Sequence, residues 1–357
     1  MEIMQAMLNS KKVKYVIMEQ LVKRLPTNTE EINVFINVDS LLRGFYNPKI
    51  YEAANSLSDE DKHLLSSELI NIVAHYRHFF WSRYRIPSNF FLYYSDKEAS
   101  YPTKLNPDYK HDFYSKRLYF KPEFNALNKM IYKNLELATI LSEYLPNIYI
   151  INTGTLEPSV LPYHIINKNQ KVQNLLNLVI TNELSDYQLT NLNNTFILDL
   201  KSDDSKIITR EEIIPSLLKR TKMSNTELDS NFFNAILAIS GNKKQNILGI
   251  PGYGPAKTVK LIEKLIKDGS ISNNEESGKL NITADKYFND SDLEEIIIKN
   301  YNAISLANLY KNISPKETYA IKSAIKNKSD NMSLMEINNQ YYTRYPLMLI
   351  ELMEGEC

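Results

Sequence analysis

The stretch Gly241-Asn-Lys-Lys-Gln-Asn-Ile-Leu-Gly-Ile-Pro-Gly-Tyr-Gly-Pro255 contains four of the nine glycines in this chain of 357 residues. Its second half predicts a tight turn, with positive φ at Gly252 and Gly254 and with Pro255 as the first residue of a helix. This concentration in a glycine-poor protein indicates that the backbone approaches another group closely here. The simpler alternative is an ordinary glycine turn before a surface helix.

The residues after this turn predict an amphipathic helix, with apolar residues at helical spacing on one side and lysines on the other. The apolar residues are Val259, Leu261, Ile262, Leu265 and Ile266, and the lysines are Lys257, Lys260, Lys264 and Lys267. Backbone N–H groups at the start of a helix, beside lysines, bind phosphate without reading base sequence. We therefore expect Gly252, Gly254, Lys257 and Lys260 to bind a nucleic-acid backbone.

Charge is balanced over the whole chain, so any basic surface must be local. Lysine and arginine total 42, and aspartate and glutamate also total 42. Two segments are locally basic, residues 97–133 and residues 241–268. Within these two segments, the further candidates for binding DNA are Lys110, Lys116, Arg117, Lys243 and Lys244. The tyrosines Tyr109, Tyr114 and Tyr119 either stack on single-stranded bases or pack in the core.

Cysteine content and hydropathy exclude several classes of protein. The only cysteine is Cys357, which excludes disulfide scaffolds and cysteine-based zinc sites and favours a reducing compartment. Charged residues interrupt the first 25 residues, which argues against a signal peptide, and no run of 18 apolar residues is present. We expect a cytoplasmic protein with no membrane partner. Abundant asparagine, lysine and isoleucine are typical of an AT-rich genome such as a phage genome, and the cytoplasm would then be that of a bacterial host.

Buried strands that alternate with helices predict an α/β fold, with a mostly parallel central sheet flanked by helices. The predicted strands are residues 33–39, 90–94, 147–151, 177–181 and 195–200. The predicted helices are residues 58–83, residues 124–144 and a helix that opens with the capping box Thr209-Arg-Glu-Glu212. The polar residues 270–285 predict an exposed loop.

We expect three parts along the chain. They are an N-terminal helical extension over residues 1–32, an α/β domain over residues 33–205 with a basic arch near residues 97–122, and a helical C-terminal region over residues 206–357.

Acidic residues follow four of the predicted strands, at or just beyond their C-terminal ends. They are Asp39, Asp96, Glu157 and Glu183. Ligands bind at that edge of a parallel sheet, and clustered carboxylates repel one another unless a hard cation lies between them. Mg²⁺ or Mn²⁺ is the expected cation, and two such ions about 4 Å apart would support phosphodiester hydrolysis. The alternative is that each acid only caps a helix.

Residues 33–265 resemble the 5′-nuclease superfamily: flap endonucleases, the exonuclease domain of bacterial polymerase I and the ribonuclease H of T-even bacteriophages. The matching segments are Ile36-Asn-Val-Asp39, Tyr94-Ser-Asp96, Gly154-Thr-Leu-Glu157, Val179-Ile-Thr-Asn-Glu183 with Gln188-Leu189, and the stretch from Gly241. The resemblance implies a PIN-like 5′-nuclease fold, an arch that single strands thread through and a helix–turn–helix duplex clamp. It also implies that Asp39, Asp96, Glu157 and Glu183 are catalytic metal ligands.

The sequence departs from the family at several acidic positions. Val160 stands where the second of two paired acids is expected, and Ser185 replaces the partner of Glu183. Asp186 is a further metal-ligand candidate, but in an extended segment it would point to the other face.

Two neutral amides, Asn242 and Gln245, replace the family's aspartates near the glycine-rich turn. Because neutral amides bind Mg²⁺ poorly, the resemblance implies one cation site kept and a second one in doubt.

Three functions fit this sequence. The leading hypothesis is a protein that binds DNA or RNA–DNA hybrid at flaps, nicks or primer junctions in replication or repair, with cleavage impaired or lost. The second is an active magnesium-dependent 5′→3′ exonuclease or flap endonuclease. The third is a non-catalytic assembly subunit whose N-terminal helix and C-terminal tail bind proteins. Salt dependence separates the first two from the third, because phosphate binding weakens steeply with salt.

Overall fold

The structure is a computed structural model. It describes residues 23, 28–38, 41, 58–59, 68–95, 100–107, 109, 133–139, 142, 147–199, 206–218, 228–274, 278–283, 287–288 and 292–326. Most of the predicted N-terminal extension, most of the basic arch and the C-terminal tail lie outside these residues.

A six-stranded sheet forms the centre of the protein. Its strands are β1 (Glu31–Asn37), β2 (Ser88–Tyr94), β3 (Ile148–Asn152), β4 (Leu175–Thr181), β5 (Thr195–Asp199) and β6 (Lys206–Ile208). The strand order is β3-β2-β1-β4-β5-β6. All neighbouring pairs are parallel except β5 with β6. The predicted mostly parallel sheet is therefore confirmed.

The strand order reverses between β1 and β4. The chain runs outward from β1 to β3 on one side and then from β4 to β6 on the other. In the register, Asn37 pairs with Tyr93 and Tyr93 pairs with Ile151, so β1, β2 and β3 end at the same level. Such a reversal opens a crevice at the C-terminal edge, where ligands of α/β proteins bind.

Helices flank the sheet. They are α1 (Glu68–Tyr84), α2 (Ser100–Leu105), α3 (Val160–Lys168), α4 (Ile213–Leu218), α5 (Phe233–Ser240), α6 (Pro255–Lys267), α7 (Asp292–Ile304), α8 (Leu306–Lys311) and α9 (Pro315–Lys326). The predicted capping box of Thr209 and Glu212 is formed and opens a single 3₁₀ turn just before α4. Within the described part of the chain, no helix has the length and apolar character needed to cross a membrane.

Both faces of the central strand β1 are buried, because successive side chains of a strand point to opposite faces. Val34 and Ile36 belong to a core that includes Val73 of α1. Phe35 belongs to a second core, which extends to Phe233 of α5. A strand covered on both sides reads as a nearly continuous apolar run, as β1 does.

The prediction of an exposed loop over residues 270–285 is wrong. Residues Ile271–Asn274 (β7) and Lys279–Ile282 (β8) pair as an antiparallel hairpin. Its inward side chains, among them Ile271, Leu280 and Ile282, are buried in the core that contains Phe35. Alternation of polar and apolar residues over only four positions per strand was too short to separate this hairpin from a polar loop.

Candidate functional site

Three buried carboxylates lie close to Tyr93 at the C-terminal edge of the sheet. They belong to Glu157 after β3, to Glu183 after β4 and to Asp186 three residues further on. Burial raises the pKa of Tyr93 well above its usual value, and the charges of Asp186, Glu157 and Glu183 raise it further. The structure therefore places three of the five acids that the sequence indicated where their charges act on the same tyrosine. Asp39 and Asp96 lie outside the described residues.

Asp186 points toward the sheet, which corrects the expectation drawn from an extended segment. Residues Leu184–Asn191 form a 3₁₀ helix, so Asp186 follows Glu183 by one full turn and lies on the same side. Its Oδ2 accepts a hydrogen bond from Thr181 Oγ1 at 2.6 Å and one from Asn37 Nδ2 at 3.4 Å. The fully buried carboxylate thus bridges the ends of β1 and β4, where the strand order reverses.

Gln188, in the Gln-Leu pair of the family motif, fastens this 3₁₀ helix to the C-terminal helices. Its Nε2 donates to the carbonyl oxygens of Ser185 at 2.7 Å and Ile304 at 3.1 Å. Its Oε1 accepts from Asn234 Nδ2 and from the backbone N–H of Leu306, both at 2.8 Å. The full hydrogen-bonding capacity of this amide is used, so its role here is structural.

A chain of four side chains runs from Asn242 to Glu157, and we call it the relay. Asn242 Nδ2 donates to Gln245 Oε1 at 2.8 Å, and Gln245 Nε2 donates to the Tyr109 hydroxyl at 3.1 Å. Tyr109 in turn donates to Glu157 Oε2 at 3.1 Å. None of the four residues is more than 6% exposed, so the relay is closed to solvent. Tyr109 therefore does not stack on single-stranded bases, and this alternative for it is wrong.

Three of the buried acids described at this edge, Glu157, Asp186 and Asp199, each accept a hydrogen bond from a hydroxyl of the protein itself. Tyr109 donates to Glu157, and Thr181 donates to Asp186. At the end of β5, Tyr187 donates to Asp199, an acid that sequence reasoning missed. Burial and the charge of Asp199 raise the pKa of Tyr187, so this tyrosine stays protonated and keeps donating.

Some of the carboxylate oxygens that would bind a cation therefore already accept hydrogen bonds from the protein. In the described part of the chain, no three His, Cys, Asp or Glu side chains lie close enough to hold a metal ion together. At the second cation position implied by the resemblance, Asn242 and Gln245 direct N–H groups along the relay toward Glu157. The N–H groups of Asn242 and Gln245 point toward Glu157, whose carboxylate a cation would have to bind. A cation does not fit at a position that N–H donors occupy in this way.

The glycine-rich stretch divides into two parts, which we call the inner loop (residues 241–249) and the outer turn (residues 251–255). In the inner loop, Asn242 and Ile247 exchange backbone hydrogen bonds of 2.9 and 3.0 Å. A Cβ added at Gly249 would lie 2.3 Å from the carbonyl carbon of Ser240. The inner-loop glycines thus allow two backbone segments to touch and do not face a ligand.

The outer turn has the opposite character. A Cβ at Gly252 or Gly254 would meet nothing within 4 Å. Gly252 has the expected positive φ of 81°, whereas Gly254 has φ −77° and is the N-cap of α6, so positive φ at Gly254 was a wrong prediction. Pro255 begins α6 as predicted.

Helix α6 presents lysines to solvent, as its periodicity predicted. Lys257 and Lys260 are exposed, and so is Lys243 in the inner loop. Of the predicted apolar side, Val259, Leu261, Ile262 and Leu265 are buried, but Ile266 is 40% exposed, contrary to expectation. The other basic candidates, Lys110, Lys116 and Arg117, and the side chain of Lys244 lie outside the described structure.

Comparison with known proteins identifies similar folds at low sequence identity. A zinc-bound structure of the T5 5′-exonuclease covers 83% of this chain and 98% of its own, with 12% identity and a TM-score of 0.56. A complex of the bacteriophage T5 flap endonuclease with DNA and metal ions covers 92% of this chain and 100% of its own, with 12% identity and a TM-score of 0.50. No protein-family model matches the sequence, and the search of curated proteins found no match.

Proposed function

Because the chain has the 5′-nuclease fold, with a mostly parallel sheet and a helical C-terminal region, we propose that it binds DNA or RNA–DNA hybrid where duplex meets single strand. We further propose that its phosphodiester cleavage is impaired or lost. Flaps, nicks and primer junctions in replication or repair are the expected targets. The proposed location is the cytoplasm, that of a bacterial host if the chain is phage-encoded.

The outer turn and α6 support duplex binding. Helix α6 has 13 residues, its first turn has no acidic side chain, and its N-terminal N–H groups carry partial positive charge. The glycines of the outer turn leave space for a phosphate to reach these groups. Exposed Lys257 and Lys260 add charge that attracts the nucleic-acid backbone. In this proposal α5, the inner loop, the outer turn and α6 form a helix–turn–helix duplex clamp.

The observation that carries the loss of cleavage is the internal hydrogen bonding of Glu157 and Asp186. Glu157 accepts from Tyr109, which is itself held by the neutral amides of the relay. Two-metal hydrolysis needs carboxylates that are free to hold both cations about 4 Å apart. Of the four buried residues of the relay, only Glu157 carries a carboxylate. The second cation would therefore lack the negatively charged ligands that it needs.

An active 5′→3′ exonuclease or flap endonuclease is the second candidate, favoured because the charges of Glu157, Glu183 and Asp186 all act on Tyr93 at one edge of the sheet. In that case a single Mg²⁺ or Mn²⁺ would be held by Asp39, Asp96, Glu157 and Glu183, and Asp186 would contribute to a second ion. When bound, the ion would polarise a phosphate and lower the pKa of a bound water.

The deciding experiment compares binding with cutting on the same substrates. End-labelled 5′-flap, nicked and RNA–DNA primer substrates are incubated in Mg²⁺ or Mn²⁺, and gel shifts are run in EDTA. We expect binding that weakens steeply with salt and no products. Metal-dependent products that disappear in Asp39→Ala would refute the loss of cleavage. Neither binding nor products would refute the nucleic-acid role and favour an assembly subunit.

A further inference from the structure

The relay connects three segments that are far apart in the sequence. Tyr109 and Glu157 are separated by 48 residues, and Tyr109 and Gln245 by 136. Glu157 lies in the loop after β3, Tyr109 is the middle of the relay, and Asn242 and Gln245 belong to the inner loop. Because all four side chains are buried, water cannot replace these hydrogen bonds if one partner is removed.

The hydrogen bonds of the relay all point the same way. An ionised carboxylate only accepts, so Tyr109 must donate to Glu157, and its oxygen is then free to accept from Gln245. That bond orients the amide of Gln245, whose oxygen accepts from Asn242. Donors aligned head to tail polarise one another and direct positive hydrogen toward the carboxylate. The relay thus ends with a hydrogen that Tyr109 donates to the carboxylate of Glu157.

The end of the inner loop is hydrogen-bonded to α5 and α7 and leads directly into the outer turn. Ile250 donates its backbone N–H to Ile239 at 2.7 Å, at the end of α5. The buried Asn300 of α7 donates to the carbonyl oxygens of Leu248 at 2.9 Å and Ala238 at 3.0 Å. Since Pro251 follows directly, the position of the outer turn depends on where the inner loop is held.

We propose that the relay takes the place of a divalent cation in joining the inner loop to the sheet edge. The outer turn is then held in its binding position without metal, and duplex binding is independent of divalent cations. The part of this inference that concerns duplex binding rests on the proposed function. The part that concerns the attachment stands on the hydrogen bonds alone and is tested without nucleic acid.

The test uses the full chain and the isosteric double variant Asn242→Asp/Gln245→Glu. These changes keep side-chain shape but remove both amide donors and place carboxylates beside Glu157, where Tyr109 can donate to only one of them. Amide hydrogen exchange of residues 241–250 is measured in EDTA and in Mg²⁺. In the wild type we expect equal exchange in both buffers. In the variant we expect exchange about tenfold faster or more in EDTA, with recovery in Mg²⁺.

Two further variants keep the test specific. Gln170→Glu/Asn281→Asp introduces the same charges isosterically at exposed amides and should change exchange of the inner loop in neither buffer. Tyr109→Phe breaks the relay without adding charge, so exchange should accelerate by about tenfold and Mg²⁺ should not reverse it. If Mg²⁺ slows exchange of the wild-type inner loop, or if the double variant exchanges like the wild type in EDTA, the proposal is overturned.

A gel shift on a DNA duplex separates this inference from the proposed function. Wild-type affinity should be equal in EDTA and Mg²⁺, whereas the double variant should bind more weakly in EDTA and recover in Mg²⁺. Wild-type affinity that requires Mg²⁺ would overturn the metal-independent binding. Absence of duplex binding under every condition would refute the proposed function, while hydrogen exchange would still decide whether the relay replaces a cation.

Discussion

The inner loop and the outer turn are neighbours in the chain and share the same glycine-rich composition, but they lie in opposite environments. In the inner loop, Gly249 packs against the backbone of Ser240 and Gln245 is buried in the relay. In the outer turn, Gly252 has open space around its Cα and Lys257 extends into solvent. One half of the stretch is thus part of the protein interior, and the other half is free to meet a ligand.

This difference shows that a dense run of glycines is not evidence for one function. Glycine is required wherever a Cβ would collide or where φ is positive, and neither condition says what occupies the space. The two halves should therefore respond differently to substitution. Changes in the inner loop should cost stability, and changes in the outer turn should mainly cost binding.

The largest effect is expected for Gly249→Ala. Its Cβ would lie 2.3 Å from the backbone of Ser240, which cannot move aside as a flexible side chain could. We expect the free energy of unfolding to fall by about 3 kcal/mol or more, measured by denaturant unfolding. Gly254→Ala is the matched control, with a cost of about 1 kcal/mol or less, because it removes only the N-cap preference for glycine. Equal losses of unfolding free energy for Gly249→Ala and Gly254→Ala would contradict the difference between the inner loop and the outer turn.

Gly252→Ala should have an intermediate effect. No atom lies within 4 Å of the added Cβ, so the cost comes from the positive φ of 81° and should be about 1 kcal/mol. Gly252→Asn should recover part of this stability, because asparagine tolerates that backbone conformation. If the outer turn binds phosphate closely, both variants bind duplex more weakly in gel shifts. Full binding by Gly252→Asn would show that the space above the turn is not used.

Lys257→Gln should have the smallest effect on stability, within about 0.5 kcal/mol, because its side chain is exposed. Removing one phosphate contact should lower the slope of log affinity against log salt by about 0.9. Lys267→Gln at the other end of α6 is the matched control and should leave the slope unchanged. Equal slopes for Lys257→Gln and the wild type would place the duplex elsewhere on the protein.

Much of the fold was predictable because its signals are local. The apolar run of β1, the proline that begins α6 and the capping box of Thr209 and Glu212 each depend on residues only a few positions apart. The hairpin of β7 and β8 was missed because its strands are short. The side on which Asp186 lies was missed because a 3₁₀ turn after a strand has no strong sequence signal.

The candidate site was only partly predictable. Glu157 and Glu183 were identified from their positions after strands, and Asp186 from the resemblance to the family motif; in the structure the charges of all three act on Tyr93. Tyr109 was named as a base-stacking or core residue, and its hydrogen bond to Glu157 was not foreseen. A tyrosine in a basic segment carries no sign of a partner 48 residues away.

The sequence by itself determined the parallel sheet, the acids along its C-terminal edge, the start of α6 and its row of lysines. These follow from periodicity, capping and the alternation of strands and helices, which act over short distances in the chain. Only the tertiary structure decided which acids are engaged by hydroxyl groups and which glycines are buried. Those outcomes depend on contacts between segments up to 136 residues apart, and such contacts exist only once the fold has brought the segments together.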